Sequence, residues 1–152
     1  MKRSHRLIIL VPIVVLVSFL AWEWYLSPKA RVERFLQGVS EAAEEKNLET
    51  LVGSFSSSYS DFRGLDHDAI TDLIEKGFER IDRLNVTMKN VRVEFESELA
   101  TASFELMVVA IRGDERYLLV GQPMQGEKFR VELEKESSDY KISKVERTGS
   151  EY

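Results

Sequence analysis

The chain opens with one long apolar run and then breaks into short stretches of helical or alternating period. Leu7 to Trp22 is apolar except for Ser18, and extended to Leu26 the segment has 20 residues. At ~1.5 Å per residue, a helix of that length spans about 30 Å, the thickness of a hydrocarbon core. Trp22, Trp24 and Tyr25 stand at its end as interfacial anchors, with Glu23 at the outer edge where a carboxylate reaches water. Pro12 is tolerated in a membrane helix, where neighbouring groups satisfy the freed carbonyl. The pattern predicts a tail over 1–6, a transmembrane anchor over 7–26, a domain over 28–147 and a frayed end over 148–152.

Ser27-Pro28 reads as an N-cap followed by proline in the first helical turn. Val32, Phe35, Leu36, Val39 and Ala43 then recur at helical spacing, and Glu44 to Asn47 closes that helix. A short helix follows with Leu48, Leu51, Val52 and Phe55 on one face. Tyr59 to Arg63 reads as a short strand or irregular connection, ended by Gly64. Asp66 caps a third helix with Ile70, Leu73, Ile74, Phe78 and Ile81 inward. Gly77 lies on the same stripe, which predicts close packing against a strand.

From Leu84 the period becomes two. Val91, Val93 and Phe95 form one inward row, and Ala102, Phe104, Leu106, Val108 and Ala110 the next. Arg112 to Glu115 is a hairpin turn, Tyr117 to Val120 continues as strand, and Pro123 interrupts the ladder in a kink over Gly121–Gly126. Phe129, Val131 and Leu133 alternate with charges, and Asp139 to Val145 makes the last strand. The expected class is α+β: helix, helix, short strand, helix, then four antiparallel strands, with three helices on one face of a curved sheet.

Charge gives the anchor a direction. Lys2, Arg3 and Arg6 precede the apolar run, which predicts a cytoplasmic N-terminus and an extracytoplasmic domain, periplasmic in a Gram-negative host. The whole chain has 21 basic and 26 acidic residues. Setting aside those three cations and Glu23 leaves 18 basic and 25 acidic from Ser27 onward, a net charge of −7. That excess argues against nucleic acid as a partner. The absence of cysteine excludes disulfides, thiolate catalysis, Cys-ligated metals and a lipidated N-terminal cysteine.

Three groups of residues are candidates for chemistry or contact. His67 is the only histidine beyond the tail, and with Asp66 and Asp68 it offers three metal-ligand types, but adjacent helical residues do not share a face. No catalytic residue, metal or cofactor is assigned. Tyr59, Asp61 and Arg63 alternate, so in an extended segment they share one side and are the candidate ligand-binding residues. Met107, Val109 and Ile111 alternate with an already apolar inward row, and Tyr117 to Val120 is apolar on both faces. A sheet covered by helices on one side then exposes Met107, Val109, Ile111, Leu118 and Val120 as an interface patch.

The helix over Val32–Asn47 running into Leu48–Phe55, the Tyr59–Asp61–Phe62 segment before the Asp66-capped helix, and the closing Tyr140-Lys141-Ile142 strand carry a resemblance. In that element order, Arg31 to Arg147 resembles the nuclear transport factor 2-like superfamily, the cone-shaped fold of ketosteroid isomerase, scytalone dehydratase and SnoaL, here as a membrane-anchored bacterial member. The resemblance implies a cone mouth in which Tyr59 donates a hydrogen bond and a buried Asp61 acts as base. A short tail, one span and such a domain also resemble bridging subunits of type IV secretion systems and anchored accessory proteins of mycobacterial lipid importers. Those likenesses imply a structural or partner-binding role. The expected function is a non-catalytic assembly module that binds a membrane-protein partner or itself. The alternative is a small apolar-ligand binder, or a lyase- or isomerase-like enzyme, using the cone cavity.

Overall fold

The structure is a computed structural model that describes residues 4–149, with side chains described for 12–25 and 27–149. The chain divides into two compact units, Met1–Arg31 and Val32–Tyr152.

The first unit holds helix α1 (Ser4–Leu26), with Pro12 inside it. Its described large apolar side chains are exposed, from 53% at Ile13 to 76% at Trp24. Among the described residues no helix is long and apolar enough to cross a membrane. The side chains of residues 7–11 and Leu26, which belong to the expected anchor, lie outside the described residues. So do residues 1–3 of the expected tail and residues 150–152 of the expected frayed end.

Helix α2 (Pro28–Glu44) starts where the Ser27-Pro28 pair predicts, with Ser27 Oγ accepting from the Ala30 amide at 3.2 Å. In the second unit it buries Val32, Leu36 and Ala42 and packs Phe35 and Val39 against the core. Asn47 caps the short α3 (Leu48–Gly53) through the Thr50 amide, and Asp66 caps α4 (His67–Arg80) through the Ala69 amide. Strand β1 (Phe55–Asp61) lies between those two helices, and β2 (Arg83–Glu96), β3 (Leu99–Arg112), β4 (Glu115–Val120), β5 (Glu127–Glu136) and β6 (Asp139–Arg147) follow. The sheet runs β1-β6-β5-β3-β2, with β4 beside the second half of β3. Only β1 is parallel to its neighbour, Phe55 opposite Ile142 and Asp61 opposite Val145. Ala100, Ala102 and Phe104 of β3, Phe129, Val131 and Leu133 of β5, and Tyr140 and Ile142 of β6 join Val32, Leu36, Tyr59 and Ile70 in one buried cluster.

Several expectations change, among them the inward Leu73 of α4, which is 47% exposed. Five antiparallel strands follow α4, not four, because the Gly121–Gly126 corner makes β4 and β5 separate partners of β3. Strand β1 starts at Phe55 and ends before Arg63. Ser56, which lies before the expected segment, is fully buried because side chains of β5 satisfy its hydroxyl. Gly77 packs against nothing, since a Cβ there meets no atom within 4 Å. Phe95 keeps the alternation but is 44% exposed, because it sits at the hairpin end of β2, beyond the helices' cover.

The corner after β4 needs its glycine. Gly121 has φ +95°, and a Cβ there would lie 2.9 Å from the Gln125 carbonyl oxygen.

Candidate functional site

The structure brings Tyr59, Asp61 and Arg63 together, as a lock on a turn. Asp61 ends β1, and its side chain is 1% exposed. Its Oδ1 accepts the amides of Arg63 at 2.8 Å and Leu65 at 3.0 Å. Its Oδ2 accepts Nε and a terminal nitrogen of Arg63 at 3.3 and 3.1 Å, and the Tyr59 hydroxyl at 3.5 Å. Burial by itself pushes the Asp61 carboxyl up. The Leu65 and Arg63 amides and the Arg63 guanidinium outweigh it, and the group lies below its ordinary range. Tyr59 moves the other way: burial, then the Asp61 charge, raises its hydroxyl, and Arg63 offsets this only in part. A carboxylate whose lone pairs are taken and whose basicity is lowered is a poor proton acceptor. The same bonds hold the 61–65 turn shut. Phe62 projects from that turn, 48% exposed, with the guanidiniums of Arg63 and Arg147 at 5.6 and 5.7 Å from its ring.

The five apolar residues of β3 and β4 do not share one face. Met107, Val109 and Ile111 point to the side opposite Leu106, Val108 and Ala110, and Leu118 joins them opposite Val109. Val120 instead pairs with Val108 and packs against the core, because Leu119 is an extra residue between those two pairings. Such a bulge moves every later side chain to the other face. Ile111 is 8% exposed, Met107 and Val109 are half-buried, and Leu118 is exposed. The bulge leaves Leu119 57% exposed beside them, and Tyr117 is 43% exposed. Leu119 replaces Val120 in the exposed patch. A run apolar on both faces gives no sign of where a bulge falls.

On α1, Trp22, Trp24 and Tyr25 are exposed at 66%, 76% and 60%. His67 lies 3.7 Å from Asp68, and no group of three or more metal-ligating residues occurs among the described residues.

Two features escape the sequence pattern. The buried Ser56 hydroxyl meets Glu134, Glu136 at 2.9 Å and Ser58 at 3.0 Å, joining β1 to β5 across β6. The glutamates look like an ordinary solvated row on β5, and nothing in their spacing announces a serine two strands away. A groove of about 460 Å³ also runs between α2 and the edge strand β2.

No family model matches the chain, and no curated protein does. Solved structures do. A Novosphingobium aromaticivorans protein with the provisional name scytalone dehydratase aligns at TM-score 0.67 and 16% identity, over 78% of this chain and 80% of that one. Aln2 from a Streptomyces species aligns at TM-score 0.65 and 15% identity, over 80% and 92%. Bd1075 from Bdellovibrio bacteriovorus aligns at TM-score 0.64 and 10% identity, over 77% of this chain but 38% of that protein. The fold is nuclear transport factor 2-like. Identities this low establish the architecture and leave chemistry to the site. In this domain, Phe104, Phe129, Leu133 and Tyr140 belong to the buried core.

Proposed function

We propose that this chain is a membrane-anchored, extracytoplasmic assembly module, which joins a second copy or a membrane-protein partner through the β3–β4 face. The observation that carries this reading is the exposure of Leu118 and Leu119 on a strand that, among the described residues, is paired along one edge only. Contiguous exposed apolar side chains on a sheet are a marker of protein contact. The α1 helix supports the membrane part, since a helix apolar all round is normally surrounded by protein or lipid. The cations at Lys2, Arg3 and Arg6 support the orientation. Asp61 supports a non-catalytic role, because it is committed to a turn.

Because the chain has no cysteine, one engineered thiol reports one position. Leu119→Cys should give a specific crosslinked species in intact membranes with a short bifunctional thiol reagent. Ser57→Cys, on the exposed side of β1, should not. Val109→Glu or Leu118→Glu should abolish the species and leave the domain's melting transition in place. Equal crosslinking at both positions, or an oligomer unchanged by the glutamates, refutes the β3–β4 interface.

A further inference from the structure

The two halves of β2 differ along their outer edge. Strand β2 has β3 on one side, and among the described residues no strand pairs with its other edge. In the first half the Val86 amide points to that open edge and donates to Glu44 Oε1 of α2 at 2.9 Å. Only the C-terminal end of α2 makes this cap. Its Phe35 ring lies 6.5 Å from that of Tyr140, on β6 in the middle of the sheet. Between Lys89 and Arg92 a bulge adds one residue to β2, and Asn90 takes φ +56° there. Residues of a strand turn their amides and carbonyls to alternate edges. The extra residue moves that alternation by one, so Val91, Val93 and Phe95 present theirs to the open edge. Segment 91–96 holds neither proline nor an inward charge, two devices that block a free edge. Val91 and Val93 pack against the core, and Phe95 continues their row, 44% exposed. The other face carries Arg92, Glu94 and Glu96, all exposed.

This segment is complementary to itself. A twofold axis through Val93, perpendicular to the sheet, sets the β2 of a second copy antiparallel beside the first. Val93 then faces Val93, Val91 faces Phe95, and Arg92 faces Glu94, the last two pairings occurring twice. The edge groups of Val91, Val93 and Phe95 bond across the seam. Arg92 and Glu94 fall in the non-hydrogen-bonded pairs, where side chains stand closer. Glu94 meets Arg130 of its own chain at 3.8 Å, a loose contact on a side chain 76% exposed, which leaves it within reach of the second copy. Other centres fit less well. An axis at Arg92 sets arginine against arginine, and one at Glu94 sets glutamate against glutamate. An axis at Phe95 sets Glu94 against Glu96 twice, and one at Val91 runs the pairing into the bulge. Like charges directly opposite are destabilising, so charge selects Val93. We propose that two copies of this chain join edge to edge through residues 91–96 of β2, extending the sheet across a twofold axis at Val93. This surface is separate from the β3–β4 face and does not depend on it.

The test uses the full chain in zwitterionic micelles. Sedimentation equilibrium should show a dimer, and dilution gives its dissociation constant. Arg92→Glu leaves glutamate facing glutamate, and Glu94→Arg leaves arginine facing arginine. Each alone should raise the constant at least about tenfold. Mixed in equal amounts, the two variants should associate with each other to within about threefold of wild type, because every facing pair is again of opposite charge. Phe95→Ala should weaken the dimer in the same direction and keeps the test sound if a charge variant folds poorly. Amide hydrogen exchange locates the contact: Val91, Val93 and Phe95 should exchange more slowly in the dimer than in the dissociated chain. A wild type that stays monomeric overturns the proposal. So does a dimer that both charge variants leave intact, a mixture that stays apart, or protection that arises at Leu118 and Leu119 instead.

Discussion

The two halves of β3 share one strand and differ in what surrounds them. From Leu99 to Leu106 the strand lies between β2 and β5, with Ala100 and Ala102 fully buried on one face and Thr101, Ser103 and Glu105 on the other. From Val108 to Arg112 it lies between β2 and β4, and there Met107, Val109 and Ile111 make the outer face apolar. The first half is a finished sheet with a polar side for water. The second has no such side, and its neighbour β4 exposes Tyr117, Leu118 and Leu119. The fully buried Ala100 and Ala102 lie at one end of the strand, and the exposed Leu118 and Leu119 of its neighbour lie at the other.

Substitutions can break that contrast. Leu133, fully buried against the first half, should lose about 2–5 kcal/mol of stability on change to Ala, from lost transfer energy and the cavity left behind. Leu118→Ala should change stability by less than about 0.5 kcal/mol, as read by urea titration of the monomer. A similar loss from both would mean that the two halves are not energetically distinct. Gly121→Ala, at the corner that separates the partners of the two halves, should cost about 1–3 kcal/mol, because the residue has positive φ and its Cβ meets backbone. A neutral result would mean that the corner rearranges freely.

Asp61 sharpens the contrast through pH. Its folded-state pKa is depressed, so its contribution is fully present above the ordinary aspartate value and is lost as pH falls through the folded value. The stability gap between wild type and Asp61→Asn should be constant near neutrality and should close below about pH 4. A gap that widens on acidification would reverse the assignment. The smallest effect has the opposite sign. Gly77→Ala meets no neighbour and should stabilise α4 by up to about 1 kcal/mol, measured as a rise in melting temperature.

Much of the framework was legible because it is local. Ser27 and Asp66 act as caps where their side chains predict, and Gly64 and Gly113 turn the chain with positive φ. The inward rows of β3 and β5 are the rows read from alternation. The Ser56–Glu134–Glu136 contact and the α2–β2 groove were not legible, since each joins residues far apart in sequence. The β4 bulge escaped because Tyr117 to Val120 is apolar at every position, so either register satisfies the pattern.

By itself, then, the sequence determined an apolar N-terminal helix, an α+β domain with its caps and hairpins, and a balance without cysteine and rich in acid. These depend on each residue and its near neighbours. The tertiary structure decided which apolar residues face out, turned the Tyr59–Asp61–Arg63 alternation into a turn lock, and opened a groove between α2 and β2. Register, burial and the choice of hydrogen-bond partner belong to the packed chain, where a single extra residue or a distant amide reassigns a side chain's role.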